Sequence, residues 1–132
     1  MILSQPSANG MAMRTERLMP DFEQGKVVRV PFPYTDRNTR QHRPALVVSH
    51  GGIGAGKAFL WVVMITSAEN RRWPGDVSFC GDEAQAGLPA PSVIRATKIA
   101  TIEARHADII GAIGPKRMAA VARILQRNLG FA

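Results

Sequence analysis

Arg43 is the residue of this chain whose setting most clearly indicates chemistry. It stands between a polar, basic segment and the apolar run 44–49, which has the composition of a buried strand. Pro44 fixes its own φ and disfavours the helical region for the residue before it, so the chain enters this strand at a defined angle. A guanidinium held at such a junction can donate two charge-assisted hydrogen bonds to one anion. The sequence therefore predicts that Arg43 points at an anionic group.

Two other patterns of polar residues do not indicate a site. His50 and His106 have no Cys, His or carboxylate at the spacing typical of metal ligands, so we predict no metal site and no cofactor. The glycine-rich segment 51–56 lacks the Gly-Lys-Ser/Thr ending and the strand-loop-helix context of a phosphate-binding loop. A flexible hairpin tip is the better interpretation of that segment.

A second basic loop is predicted over residues 67–75, and it contains Trp73 next to Arg71 and Arg72. Aromatic and basic side chains together are typical of grooves that bind single-stranded RNA, where bases stack on the ring. The ring of Trp73 could equally cap the hydrophobic core. The sequence leaves both interpretations open.

The composition limits the class of protein. A chain of 132 residues with 45% hydrophobic content is long enough for one domain with a core and too short for two comfortable ones. Seventeen Lys and Arg against ten Asp and Glu give a net charge of +7, which favours polyanionic partners such as nucleic acid. The excess lies in residues 26–50, with five basic residues against one Asp, and in residues 103–132, with five against two acids.

Several features predict the compartment and the extent of the domain. Cys80 is the single cysteine and can form no internal disulfide, which fits a reducing compartment. No apolar run approaches the roughly 18 to 20 residues that a spanning helix needs, and the first residues do not resemble a secretory signal. We therefore expect a cytoplasmic protein with no membrane partner.

Residues 1–20 are polar and patternless, so we expect them to be disordered or loosely attached and residues 21–132 to form the domain.

The elements that must position Arg43 are short strands bounded by Gly and Pro turns. A short helix is predicted over residues 103–110, and a clear helix follows Gly114-Pro115 and stops at Gly130. Several short strands closed by one packed helix predict a mainly β fold, either a strongly bent antiparallel sheet or a partly open barrel. The predicted strands are 26–32, 44–49, 58–66, 76–80, 92–95 and 98–102.

Four blocks of sequence stand out by their order and spacing, namely QGKVV with VPFPYTD (24–36), RPALVVS (43–49), ITS (65–67) and GLPAPSVIR with KIATI (87–102). Together these blocks resemble the MazF/PemK-like family of toxins from type II toxin-antitoxin pairs. The resemblance extends from about residue 22 to the C-terminus, and it is more specific for the four blocks in this order than for any block alone.

The resemblance implies a fold, an activity and partners. The fold is an SH3-like small antiparallel barrel of the CcdB/MazF/Kid type with a C-terminal helix, usually in a symmetric homodimer. The activity is metal-independent, sequence-specific cleavage of single-stranded RNA such as mRNA, in which a ribose 2′-OH attacks the adjacent phosphate. The products are a 2′,3′-cyclic phosphate and a 5′-OH. The toxin inhibits growth and is neutralised by a cognate antitoxin protein.

By this resemblance, Arg43 matches the catalytic arginine of the family and Thr66 its catalytic hydroxyl residue. Negative charge builds on the phosphoryl oxygens in the transition state, where a fixed guanidinium stabilises it. A guanidinium rarely gives up its proton, so we assign Arg43 to electrostatic stabilisation before general-acid work. His42 would titrate more readily if it reached the site, although loop histidines are more often solvated. Without the family pattern, an ion pair between Arg43 and Asp36 would be the simpler interpretation.

The residues around this pair include further predicted contacts with RNA. Arg95 and Lys98 are among them, although they could equally be solvated charges at a strand edge. In the Kid/PemK subset, an aspartate two residues after the arginine that corresponds to Arg95 acts as a base, and this position is Thr97 here. Either the general base lies elsewhere or the chain relies on the Arg43/Thr66 pair. The predicted RNA contacts are His42, Arg37, Arg40, Ser67, Arg71, Arg72, Trp73, Arg95 and Lys98.

A different class of function is a binding protein on the same barrel, such as a CcdB-like topoisomerase poison or an inactivated relative. Poisoning of the CcdB kind depends on C-terminal residues that contact the target. Growth arrest without RNA cleavage, abolished by truncation after about Arg127, would distinguish this hypothesis from the nuclease. The basic C-terminal helix could itself bind nucleic acid, or it could be a packed helix with a solvated face.

Overall fold

The computed structural model describes residues 21–31 and 41–131, so the predicted extension 1–20 and the segment 32–40 lie outside the described residues. The described strands form one antiparallel sheet in the order β4-β5-β3-β2-β1-β6, and one α-helix follows them. The predicted mainly β fold with a C-terminal helix is confirmed. The elements are β1 (Lys26–Pro31), β2 (His42–Val47), β3 (Phe59–Ser67), β4 (Asp76–Ser78), β5 (Ser92–Glu103), β6 (Asp108–Ala112) and α1 (Pro115–Leu129).

Side chains alternate between the two faces of the sheet, and each face has its own apolar cluster. We call the face that packs against α1 the helix face. We call the opposite face, which curls over a second cluster, the site face. The helix face includes Val27, Leu46, Val63, Ile65 and Ile94, with Val121 of the helix. The site face includes Val28, Val30, Ala45, Val62 and Met64, with Phe22 from the segment before β1.

β5 is one bent strand, whereas the sequence predicted two strands separated at residues 96 and 97. Its first half pairs with β4 and with the end of β3, and its second half pairs with the start of β3. The register shifts where Val63 opposes Ile99 and Met64 opposes Arg95, which leaves residues 96–98 as a bulge. A bulge bends the strand and increases its twist, so the sheet can curl around the site-face cluster.

The predicted short helix over residues 103–110 is wrong. A single 3-10 turn at Ala104–His106 leads into β6, which pairs with β1. Gly111 lets β6 pack directly on a neighbouring turn, because a Cβ at this position would lie 2.3 Å from the carbonyl carbon of Ala86. Pairing with β1 therefore overrides the weak local pattern of this segment.

α1 has the predicted limits. Pro115 occupies the first turn, and Gly130 ends the helix with a left-handed φ of 83° that suits glycine. Val121 is fully buried against the sheet. Nε of Arg117 donates a hydrogen bond to the carbonyl oxygen of Ser78 at 3.0 Å, and this bond joins the first turn of the helix to β4. Within the described ranges, no helix is long and apolar enough to cross a membrane.

Candidate functional site

Arg43 and Thr66 lie on neighbouring strands at one end of the site face. The ladder between β2 and β3 pairs Ala45 with Met64. This is the last pair of the ladder at this end, and Arg43 and Thr66 lie two residues beyond it on their own strands. Both residues share a face with Ala45 and Met64 because side chains alternate along a strand. The fold therefore places the two residues that were predicted to act on a phosphate on neighbouring strands, at the same end and on the same face of the sheet.

Strand pairing fixes the backbone of Arg43, while its side chain is exposed. Arg43 opposes Val30 in the ladder between β1 and β2. Its Nη2 donates a hydrogen bond to Oε1 of Gln41 at 3.3 Å, and the residue is exposed. A guanidinium on a fixed strand that still meets solvent can bind a phosphate with little loss of backbone freedom.

The hydroxyl of Thr66 has a partner that the sequence analysis missed. Nδ2 of Asn70 donates a hydrogen bond to Oγ1 of Thr66 at 2.5 Å. The turn between them is fixed by the N–H of Asn70, which donates to the carbonyl oxygen of Ser67 at 3.1 Å, and by the N–H of Glu69, which donates to Oγ of Ser67 at 3.1 Å. Because Asn70 uses the Thr66 oxygen as an acceptor, the hydroxyl hydrogen can be donated to a ligand.

Arg95 is buried on the site face, where it opposes Met64 and is bound by Asp76. Its Nε and Nη2 donate hydrogen bonds to Oδ1 and Oδ2 of Asp76 at 3.2 and 3.1 Å. The Arg95 and Asp76 side chains are 9% and 1% exposed. Nη2 also donates to the carbonyl oxygen of Arg71 at 2.7 Å. The interpretation of Arg95 as a solvated edge charge is therefore wrong, and its guanidinium holds both ends of the segment 71–76.

Trp73 covers the guanidinium of Arg95. Cζ of Arg95 lies 4.2 Å from the centroid of the Trp73 ring, within the range of a cation–π contact. The backbone N–H of Trp73 donates to Oδ2 of Asp76 at 2.9 Å, and the backbone N–H of Asp76 donates to the carbonyl oxygen of Trp73 at 3.1 Å. Pro74 and Gly75, with a φ of 90° at Gly75, form the turn between them. Trp73 thus packs on a buried cation.

The other predicted RNA contacts occupy different parts of this region. Alternation along β2 places His42 on the opposite face from Arg43. Ser67 ends β3, and its hydroxyl oxygen accepts a hydrogen bond from the N–H of Glu69 in the turn that leads to Asn70. Their predicted contacts with RNA stay predictions.

Three of the other basic residues among these predicted contacts lie within the described ranges, and two lie outside them. Arg71 and Arg72 are exposed in the loop between β3 and β4, and Lys98 lies in the β5 bulge. Arg37 and Arg40, together with Asp36, fall in the segment 32–40 outside the described residues. Among residues 21–31 and 41–131, no group of three or more His, Cys, Asp or Glu residues is placed to hold a metal ion.

Comparison with known proteins gives a family and a set of similar folds. The family profile described as "PemK-like, MazF-like toxin of type II toxin-antitoxin system" matches residues 23–129. A search among curated protein sequences found no match.

Three solved structures illustrate the similarity of fold. MazF (Form-I) from Deinococcus radiodurans has a TM-score of 0.64 at 21% identity, over 83% of this chain and 96% of that chain. An endoribonuclease in complex with its cognate antitoxin from Mycobacterial species has a TM-score of 0.63 at 22% identity, over 86% and 96%. The Mycobacterium tuberculosis toxin MazF-mt6 has a TM-score of 0.63 at 18% identity, over 81% and 98%.

The buried pair predicts a large effect on stability. We expect Asp76→Ala to lower the free energy of unfolding by roughly 3–5 kcal/mol, because it leaves the guanidinium of Arg95 buried without a counterion. Urea denaturation measures this change.

A matched control uses the exposed pair of Arg105 and Glu103, whose side chains are 75% and 45% exposed. Glu103→Ala removes that pair and should change the free energy of unfolding by less than about 1 kcal/mol. Effects of similar size in the two variants would contradict the anchoring role of Asp76.

Proposed function

Because the chain belongs to the PemK-like, MazF-like toxin family of type II toxin-antitoxin systems, we propose that it is an endoribonuclease toxin that cleaves single-stranded RNA in the cytoplasm. The observation that supports this proposal is that Arg43 and Thr66 lie at the same end of the site face, each two residues beyond the pair of Ala45 with Met64. A fixed cation next to an oriented hydroxyl suits the binding of one phosphate from two sides.

The proposed reaction is an internal transesterification. The 2′-oxygen of a ribose attacks the adjacent phosphorus, and the bond from phosphorus to the 5′-oxygen breaks. The products end in a 2′,3′-cyclic phosphate and a 5′-OH. Negative charge grows on the non-bridging oxygens, where the N–H groups of Arg43 stabilise it. The hydroxyl of Thr66, which accepts from Asn70, donates to the same phosphate.

The proton of the attacking 2′-OH needs an acceptor. Thr97 occupies the position of the aspartate that some relatives use, and a threonine hydroxyl is not a base at neutral pH. The carboxylate of Asp76 shares the site face, but its side chain is 1% exposed and bound to Arg95. We therefore propose that water accepts the proton of the 2′-OH and that water also gives a proton to the departing 5′-oxygen, while Arg43 and Thr66 enhance the rate without a metal or cofactor.

The same surface supports the proposed partners. The exposed Arg71 and Arg72, with Lys98 in the bulge, add positive charge beside the site, and the net charge of +7 attracts RNA. The opposite charge of an acidic antitoxin would suit the same residues, and we propose that a cognate antitoxin neutralises this toxin. The solved MazE-MazF structure from Deinococcus radiodurans, at 22% identity, supports a partner of this kind. Further contacts with RNA are proposed for His42, Ser67, Arg37 and Arg40.

An exposed apolar surface on the helix face supports a homodimer. Phe59, Trp61 and Ile99 are 38%, 52% and 48% exposed. The ladder of β3 with β5 places all three on one face, beyond the part that α1 covers. Contiguous exposed apolar side chains of this size are typical of an interface. We propose that two copies of the chain pair through this surface.

The first prediction of this function concerns Arg43. In the presence of EDTA, Arg43→Ala should reduce the cleavage rate of single-stranded RNA about 100- to 1,000-fold, because one fixed donor to the transition state is lost. Arg105→Ala, which removes an arginine that is bound to Glu103 outside this site, is the matched control and should cleave at the wild-type rate. Activity that requires a divalent metal, or full activity of Arg43→Ala, would refute the proposal.

The second prediction concerns the orientation of the Thr66 hydroxyl. Asn70→Asp replaces the amide donor by an acceptor, so the hydroxyl donates to the new carboxylate and is lost to the phosphate. We expect kcat to fall further in Asn70→Asp than in Asn70→Ala.

A double-mutant cycle separates this effect from the added negative charge. In a Thr66→Val background there is no hydroxyl to redirect, so Asn70→Asp should have only the smaller effect of its charge on the KM for RNA. Equal losses of kcat in the two backgrounds would contradict the positioning role of Asn70.

The third prediction concerns the apolar surface. Trp61→Glu places a charge at its centre and should convert a dimer into a monomer, measured by size-exclusion chromatography with light scattering. Ala84→Glu adds the same charge at an exposed turn position and should leave the mass unchanged. A dimer that persists in Trp61→Glu would place the interface elsewhere.

A further inference from the structure

The fold holds the Trp73 ring in a fixed position while leaving it 42% exposed. The turn through Pro74 and Gly75 fixes the backbone, and the carboxylate of Asp76 accepts a hydrogen bond from the backbone N–H of Trp73 at 2.9 Å. Large aromatic side chains contribute most to stability when they are buried. Burial of the ring therefore does not explain why the backbone around Trp73 is fixed by these contacts.

The two faces of the ring differ in their surroundings. The guanidinium of Arg95 lies 4.2 Å from the ring centroid on the inner side, and Asp76 and the carbonyl oxygen of Arg71 hold that guanidinium in place. Since the inner face is covered in this way, the exposed area of Trp73 belongs to the outer face and the ring edge. A flat apolar surface of this kind fits another flat π-system.

The position of the ring relative to Arg43 and Thr66 suggests which π-system it meets. The loop that carries Trp73 also contacts Thr66. Nδ2 of Asn70 donates to Oγ1 of Thr66, and the carbonyl oxygen of Arg71 accepts from the guanidinium of Arg95 on which the Trp73 ring packs. A phosphate held at Thr66 would therefore place an adjacent base near Trp73.

We propose that the outer face of Trp73 is a stacking site for an unpaired nucleobase next to the scissile phosphate. This inference rests on the proposed function in one respect, namely that the ligand is single-stranded RNA. Stacking accepts any base, so the site contributes affinity and register rather than sequence readout. Arg95 is then a positioning residue, because it acts on the RNA through Trp73 and not by direct contact.

Binding of two uncleavable probes tests the stacking site. One probe is a short single-stranded 2′-O-methyl oligonucleotide of randomised sequence, which lacks the attacking hydroxyl. The other is an abasic oligomer of equal length and charge. Trp73→Ala should weaken binding of the first probe about 5- to 100-fold and leave binding of the second unchanged, because only the first can stack. Trp73→Phe retains an aromatic face and should bind the first probe within about twofold of wild type.

Tryptophan fluorescence gives a second readout on folded protein. The base-bearing probe should quench the wild-type emission, and the abasic probe should not. The quenching should vanish in Trp73→Phe, in which Trp61 is the remaining tryptophan. If Trp73→Ala fails to fold, Trp73→Phe and the fluorescence comparison decide the question.

Several results would overturn this inference. Equal weakening for both probes would mean that Trp73 acts only through the shape or charge of the loop. Unchanged binding would mean that the ring does not contact RNA, and quenching by an acidic antitoxin peptide alone would make it a protein contact. Cleavage of unmodified RNA without base-dependent binding would refute the stacking site alone. Base-dependent quenching without any cleavage would refute the nuclease alone.

Discussion

The buried ion pair between Asp76 and Arg95 determines how the loop after β3 lies against the sheet. Both side chains are almost fully buried, and the guanidinium binds the carboxylate with two nitrogens while a third hydrogen bond reaches the backbone of Arg71. Because an unpaired charge at this depth would be strongly unfavourable, the loop cannot move away without breaking the pair. The positions of Trp73 and of the neighbouring basic residues depend on this constraint.

The proposed site combines residues on strands with residues on that loop. Arg43 and Thr66 belong to β2 and β3, so the sheet sets the distance between them. Asn70 and Trp73 belong to the loop, which reaches the sheet through the Thr66 hydroxyl at one end and through Arg95 at the other. Rigid strands thus carry the residues for charge stabilisation, and an anchored loop carries those that orient them and meet the bases.

The sequence was sufficient for features that depend on local pattern. The limits of α1 follow from Pro115 and Gly130, and the strand next to Arg43 was expected from Pro44 and the apolar run after it, although β2 begins at His42 and includes Arg43. The contacts of Arg95 were out of reach because Asp76 lies 19 residues away in the chain and its role depends on the pairing of β4 with β5.

Two elements were predicted wrongly for a related reason. The bulge in β5 and the pairing of β6 with β1 are decided by tertiary packing, which overrides weak local signals. The bond from Asn70 to Thr66 is local, but an asparagine after a strand is so common in turns that it indicates nothing more by itself.

The most direct test of the account is to digest a defined RNA with the purified protein in EDTA and to identify both new ends by mass spectrometry. The account predicts fragments that end in a 2′,3′-cyclic phosphate and begin with a 5′-OH, formed by the wild type and at a strongly reduced rate by Arg43→Ala. Fragments with a 5′-phosphate, or intact RNA after incubation with the wild type, would contradict it.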